Sequence, residues 1–152
     1  MVGDAIPILE PQRKSSMTEP SPNEIMAAYA ANAINFAHSQ FGISLDYSVE
    51  SIEQVETLAN RLFHTRPKGF IAKLFRKEPS ENDVQNVCKM LGSYIGEVYR
   101  RSKGGEWQIN QEHQAIGLLD GETWIFPLAK VLKRITNGKK DDLTVYFAEI
   151  LK

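Results

Sequence analysis

The residues with the most chemical potential stand close together in GSYIGEVYRRSKGGEW, residues 92 to 107. Gathered over a cleft, Glu97, Arg100 and Arg101 would form the polar centre of a small enzyme or ligand binder. Trp107 would be its wall, since an indole supplies a large apolar area with one polar handle. Trp124, further along, is a second candidate ligand or partner residue. The same spacing has a plainer reading, as the end of a packed helix. On a helical wheel at about 100° per residue, Val84, Val87, Cys88, Leu91, Ile95 and Val98 share one apolar arc, with Gly92 and Gly96 at its edge. Glu97, Arg100 and Arg101 fall on the far side. There Glu97 has i, i+3 and i, i+4 spacing to the two arginines, each pair contributing about 0.2–0.5 kcal/mol. Arg100, Arg101 and Lys103 complement the negative end of the helix dipole. Gly104 reads as a left-handed cap and Gly105 as the start of a turn into the strand that holds Trp107. The two glycines within the helix would let a neighbouring element approach closely, offsetting a propensity cost of about 1 kcal/mol each. The helix-end reading is preferred.

Other chemistries have less support. His38, His64 and His113 form no i, i+4 pair, and Cys88 adds no metal-ligand spacing, so neither a metal nor a cofactor is expected. His113 reads as an exposed turn residue before a strand. Ser93 lies inside a helix, so it is not the strained Ser of a nucleophile elbow. Asn137-Gly138-Lys139-Lys140 lacks the remaining residues of a phosphate-binding loop. Glu106, Glu112 and Glu122 could do paired acid–base work, but each sits beside a turn, where charged residues are ordinary. The one lopsided charge feature is residues 61 to 77. Arg66, Lys68, Lys73, Arg76 and Lys77 follow Arg61 there with no acidic residue before Glu78. Interleaved Phe70, Ile71, Leu74 and Phe75 make the connection amphipathic, and it is a candidate docking surface for an acidic partner.

The elements that must position these residues follow from capping and period. Residues 1 to 20 read as a tail: four of the seven prolines lie within the first 22 residues, and no period is present. Met17 is a second possible start. Ser21, Pro22 and Glu24 form a capping box with proline at the first helical position. Ile25, Tyr29, Ala33, Phe36 and Ala37 then recur at helical spacing up to Gly42, a C-terminal cap. ISLDYS (43–48) alternates like a short strand. A second helix, about Ser48 to Phe63, has the stripe Ile52, Val55, Leu58, Ala59 and Leu62, with Glu50, Glu53 and Glu56 on its exposed face. A third runs from Ser80 to about Lys103. Residues 106–110, 114–119 and 123–127 read as three strands, the last two joined by an Asp120-Gly121 type I′ turn. A helix from Pro127 to Thr136 turns Leu128, Val131, Leu132 and Ile135 inward. A last helix begins near Asp141 and carries Leu143, Tyr146, Phe147 and Ile150.

L-G-x-Y-x-G-E, then R-R and G-G-x-W, with the later P-L-A-K-V-x-K-R-I-T-N-G (127–138), resembles a family of small, uncharacterised bacterial proteins. The resemblance spans residues 80 to 150. It implies a domain and no particular reaction. The chain departs from the family pattern at Lys139-Lys140-Asp141, where Pro-Glu-Asp is usual. It departs again at Thr144-Val145-Tyr146-Phe147, where a Trp-His-Tyr-Tyr-like run is usual.

The chain has 152 residues, 42% hydrophobic, enough for one domain with a core. A net charge of −1 argues against a general nucleic-acid or membrane binder. One cysteine allows no intrachain disulfide and suits a reducing, cytoplasmic setting. No transmembrane run and no secretory leader are expected. The expectation is a tail (1–20) and a single α+β domain (21–152), with about five helices on an antiparallel sheet of three or four strands. Its expected function is that of a non-catalytic cytoplasmic interaction protein of immunity or adaptor type, with a protein partner. The alternative is an enzyme or ligand binder with its pocket between helix 80–103 and the sheet.

Overall fold

The computed structural model describes residues 19–65 and 81–152. The tail up to residue 18 and the basic connection 66–80, with Arg66, Lys68, Lys73, Arg76 and Lys77, lie outside the described residues. Capping chemistry bounds the first helix, α1 (Pro22–Phe41). Ser21 Oγ accepts from Glu24 N–H, and Glu24 Oε1 accepts from Ser21 N–H. Gly42 ends the helix at φ 68°, a left-handed conformation that glycine adopts without a steric cost.

The buried face of α1 differs from the expected stripe. Met26, Ala30, Ala33 and Ala37 are buried, and Ile25 is 40% exposed. The alanines face α3 (Glu81–Lys103), and short side chains let the two helices approach closely. The strand expected at 43–48 is absent too. Asp46 Oδ1 accepts from both the N–H and the hydroxyl of Ser48, a local turn that competes with any ladder. Tyr47 beside it sits at φ 66°. A 3₁₀ turn, Val49–Ser51, leads into α2 (Ile52–Thr65), whose apolar stripe is buried as its spacing predicts. Glu56 is a correction: it is buried in α2 and not on an exposed face.

Helix α3 is the centre of the fold. Every residue from Leu91 to Tyr99 is buried, because α1 covers one side and α4 (Pro127–Asn137) another. Both glycines are needed there. A Cβ on Gly92 would lie 2.6 Å from the Leu128 Cα of α4. The glycine packing expected from the wheel therefore holds, but Glu97 is not on a solvent face.

The sheet is antiparallel in the order β1 (Glu106–Asn110), β2 (Ala115–Asp120), β3 (Thr123–Ile125). Trp107 pairs with Leu118, and Leu118 with Ile125. The hairpin is where the Asp-Gly pair predicts, one residue out of phase. Asp120 pairs with Thr123, so the two turn residues are Gly121 and Glu122. Only Gly121 has positive φ, at 65°, the pattern of a type II′ turn and not of I′. After α4, a 3₁₀ turn (Lys139–Asp141) leads to α5 (Leu143–Leu151), capped by Asp142. The described residues thus form an α+β domain of five α-helices and three strands. No helix among them is long and apolar enough to cross a membrane.

Candidate functional site

Three of the residues singled out by sequence do come together. Glu97 is 5% exposed and Trp107 is 2% exposed. Trp107 Nε1 donates to Glu97 Oε2 at 2.8 Å. Arg100 Nη1 donates to both Glu97 oxygens at 3.2 and 3.0 Å, and its Nε donates to the Gly105 carbonyl at 3.1 Å. Gly96 makes the room: a Cβ there would lie 2.1 Å from Trp107 Cζ2. The carboxylate is thus engaged in seating an indole on a helix, and the Trp107 ring occupies the space above α3. Arg101 is not part of this set. Its guanidinium stacks over Tyr47, 3.6 Å from the ring centroid, and Tyr47 stacks on Tyr94. Tyr94 Oη accepts from Tyr47 N–H at 2.7 Å and lies 2.6 Å from Ser51 Oγ.

A second buried network holds residues that the sequence reading placed outside or passed over. Arg134 is fully buried. Its Nε donates to both Glu56 oxygens at 3.0 Å, and its Nη2 to Glu56 Oε2 and Asn60 Oδ1, each at 2.7 Å. Glu56 also accepts from Leu143 N–H at 2.9 Å and from Lys139 Nζ at 3.4 Å. Lys139 bridges on to Asp142 at 3.2 Å. Burial opposes ionisation of Asp142. The Thr144 hydroxyl, the Val145 N–H, Lys139 and the Thr144 N–H together outweigh it and hold the carboxyl well below its ordinary range. The network ties α2, α4 and α5 together.

An open concave surface lies elsewhere, between β3, α4 and α5. It is a cleft of about 550 Å³. Trp124 and Phe126 stack along one wall, with ring centroids 5.9 Å apart and planes 8° apart. Phe126 is set in place by Gly117, where a Cβ would come within 2.7 Å of its ring. His113 packs against Phe126 at 5.5 Å. Tyr146 and Ile150 of α5 form the opposite wall, and burial pushes the Tyr146 hydroxyl up to about 12. Lys130 and Lys133, one turn apart on α4, bring positive charge to the cleft. Lys130 is paired with Asp141 at 2.9 Å, while Lys133 is exposed and has no carboxylate partner among the described residues.

Of the sequence candidates among the described residues, Trp124 alone lines this cleft. The others were signalled weakly: Trp124 and Phe126 at i, i+2 must share a face of their strand, and Lys130 and Lys133 are at helical spacing. A second cleft, about 440 Å³, does lie between the end of α3 and the sheet, lined by Tyr99, Lys103, Asp120 and Thr123 among others. Glu97, Arg100, Arg101 and Trp107 do not line it. Glu106, Glu112 and Glu122 are exposed and separate, and no group of metal-ligating side chains is present among the described residues. Burial pushes the Cys88 thiol up to about 12, which keeps it protonated and unreactive. Among protein-family models, curated proteins and solved structures, none matches this chain.

Proposed function

We propose that this protein is a non-catalytic cytoplasmic interaction module, of adaptor or immunity type. In this reading the cleft between β3, α4 and α5 receives a partner segment with an apolar anchor and an acidic side chain. One observation carries it: stacked Trp124 and Phe126, facing Tyr146 and Ile150, are rimmed by the ammonium of Lys133, which has no carboxylate partner among the described residues. Aromatic residues in a concave patch are where binding energy concentrates. A rim lysine adds attraction for an acidic partner mainly through the association rate. The run Arg66, Lys68, Lys73, Arg76 and Lys77 supports the same charge preference on sequence grounds. A small-molecule reading is favoured only by the cleft volume of about 550 Å³, within the ~300–1,000 Å³ of ligand sites.

The test is a pull-down from native host extract with wild type, Trp124→Ala and Lys133→Glu, followed by binding kinetics at two salt concentrations. Trp124→Ala should abolish recovery of the partner. Lys133→Glu should slow association and weaken its salt dependence. Partner recovery indifferent to both substitutions would overturn the cleft as the binding surface. Absence of any specifically retained protein, with Trp124 fluorescence responding to a small-molecule extract, would favour the small-ligand reading.

A further inference from the structure

The two edges of the sheet are finished differently. On β2, Leu118 faces Trp107 on one side and Ile125 on the other. A two-residue turn makes its flanking residues, Asp120 and Thr123, a hydrogen-bonded pair. Pairs alternate along an antiparallel ladder, so Trp124 opposite Leu119 is non-bonded and Ile125 opposite Leu118 is bonded. Leu118 thus spends its N–H and C=O on β3, and Trp107 must turn its own outward at the β1 edge. There the Asn23 side chain of α1 takes the Trp107 N–H at 2.8 Å. The same parity turns the N–H and C=O of Trp124 outward at the β3 edge, and no side chain or backbone group among the described residues caps them. Among the described residues, the β1 edge is capped at the Trp107 N–H and the β3 edge has no such cap.

The open edge is bordered by a groove. The clefts of about 550 and 440 Å³ share Ile125 of β3 and Ile150 of α5. Trp124 and Ile125 lie on opposite faces of β3 yet line the first cleft together, so that cleft reaches around the strand edge. Exposed, unpaired strand edges are templates for a further strand unless they are protected.

We infer that an extended segment of a protein partner adds as a fourth strand beside β3. It exchanges main-chain hydrogen bonds with Trp124, places alternate side chains in the two lobes of the groove, and sets an acidic side chain on Lys133. This rests on the cleft being the partner site and adds to it the mode of recognition. The acidic character follows from Lys133, which stands at the first lobe with no carboxylate partner among the described residues, whereas Lys130 beside it is paired with Asp141. The main-chain mode follows from the open edge, since strand addition draws affinity from backbone bonds and specificity from alternate pockets.

The probe is a displayed library of random nonapeptides panned against the full chain, with the best binder made synthetically. Its parent form and a scan of single N-methylated forms are titrated while backbone amide shifts are recorded. A peptide matching residues 1–18 and a dilution series of the protein alone are run beside it. The expected result is a peptide with an acidic residue that moves the Trp124 amide. N-methylation at alternate positions should weaken it about fivefold or more, and the intervening positions should tolerate it. Binding in the cleft with no sensitive N-methyl position would overturn strand addition and leave the cleft as a side-chain pocket. Selected peptides that leave the cleft amides unmoved would overturn both readings. Tighter binding by the peptide of residues 1–18, or a Trp124 amide that shifts with protein concentration alone, would make the occupant this chain's own terminus or a second copy and overturn the partner segment.

Discussion

Glu97 and Glu56 are both buried acids on helices, and both face an arginine, but they hold together different things. Glu97 is satisfied locally, by Arg100 one turn on and by Trp107 of the adjoining strand. Its arginine keeps 26% of its side-chain surface in solvent. Glu56 draws its partners from α4, the following turn and α5, and its arginine is fully buried. The first arrangement fixes how one strand leaves one helix. The second decides whether the C-terminal helices stay attached. Since α4 and α5 form two walls of the cleft, the Glu56 network also shapes the binding surface from behind.

The largest effect should therefore come from breaking the long-range pair. Glu56→Leu leaves the Arg134 guanidinium buried without its counter-charge, which typically costs about 3–5 kcal/mol. The Nη1 of Arg134 already lacks a hydrogen-bond partner among the described residues, which leaves Asn60 Oδ1 as the neutral acceptor of a buried charge. Urea denaturation measures this, and amide exchange at Leu143 should rise because its acceptor is gone. Adding Arg134→Met should recover much of the stability, because well-packed apolar replacements of buried ion pairs are often neutral or better. A single Glu56→Leu change costing under about 1 kcal/mol would erase the contrast between the two acids.

Next comes the Trp107 seat. Gly96→Leu must displace an indole that already fills the space above the glycine, and overpacking of this kind costs about 1–3 kcal/mol. Trp107 emission should shift to the red as the ring is expelled. Glu97→Gln should cost less, about 1 kcal/mol, because the amide oxygen still accepts from Trp107 Nε1. If Glu97→Gln were the more damaging of the two, the carboxylate and not the packing would be what matters there.

This contrast also separates what the sequence could tell from what it could not. The Ser21–Glu24 box, the Gly42 cap, the stripes of α2 and α3 and the three strands follow local rules, and all are present. The Glu97–Arg100 pair was visible because its spacing is helical. Its burial was not, because a wheel shows one apolar face and α3 is wrapped on several. Glu50, Glu53 and Glu56 look alike at spacing three. The last of them lies beside the apolar stripe, four residues after Ile52 and three before Ala59, and its inward carboxylate is matched by an arginine 78 residues away, which local spacing does not reveal. The hairpin turn slipped by one because Asp120 is held in the ladder, where it accepts from Tyr99 Oη at 2.5 Å. The cleft needed three elements to converge, which periodicity within one element does not express.

Asp142 extends the Glu56 network to the start of α5, and it should give that network a pH dependence. Its carboxyl titrates lower in the folded chain than the ~3.9 of an unfolded aspartate. The folded state therefore binds its proton less readily. The resulting stability is complete above about pH 5 and is lost as the pH falls below that. Asp142→Ala removes a helix cap and should cost about 1 kcal/mol at pH 7. Thermal unfolding from pH 7 to pH 3 should show wild type and variant converging on the acid side. A constant gap across that range would mean the carboxylate's charge contributes nothing.

The smallest effect belongs to Arg101, which sequence spacing groups with Glu97 and the structure separates from it. Its guanidinium lies 3.6 Å from the Tyr47 ring centroid, and the residue is exposed. A cation–π contact at such a site contributes about 0.5–1 kcal/mol. Arg101→Ala should cost no more than that, and Arg101→Lys part of it, because an ammonium does not stack flat on a ring. Neither change should alter Trp107 fluorescence, since the indole is held by Glu97 and Gly96. A double-mutant cycle with Tyr47→Leu isolates the contact from the backbone strain at Tyr47, where φ is 66°. Coupling between Arg101 and Tyr47, with none between Arg101 and Glu97, would establish that the helix end carries two independent contacts. Coupling of Arg101 to Glu97 instead would return it to the cluster that its spacing suggests.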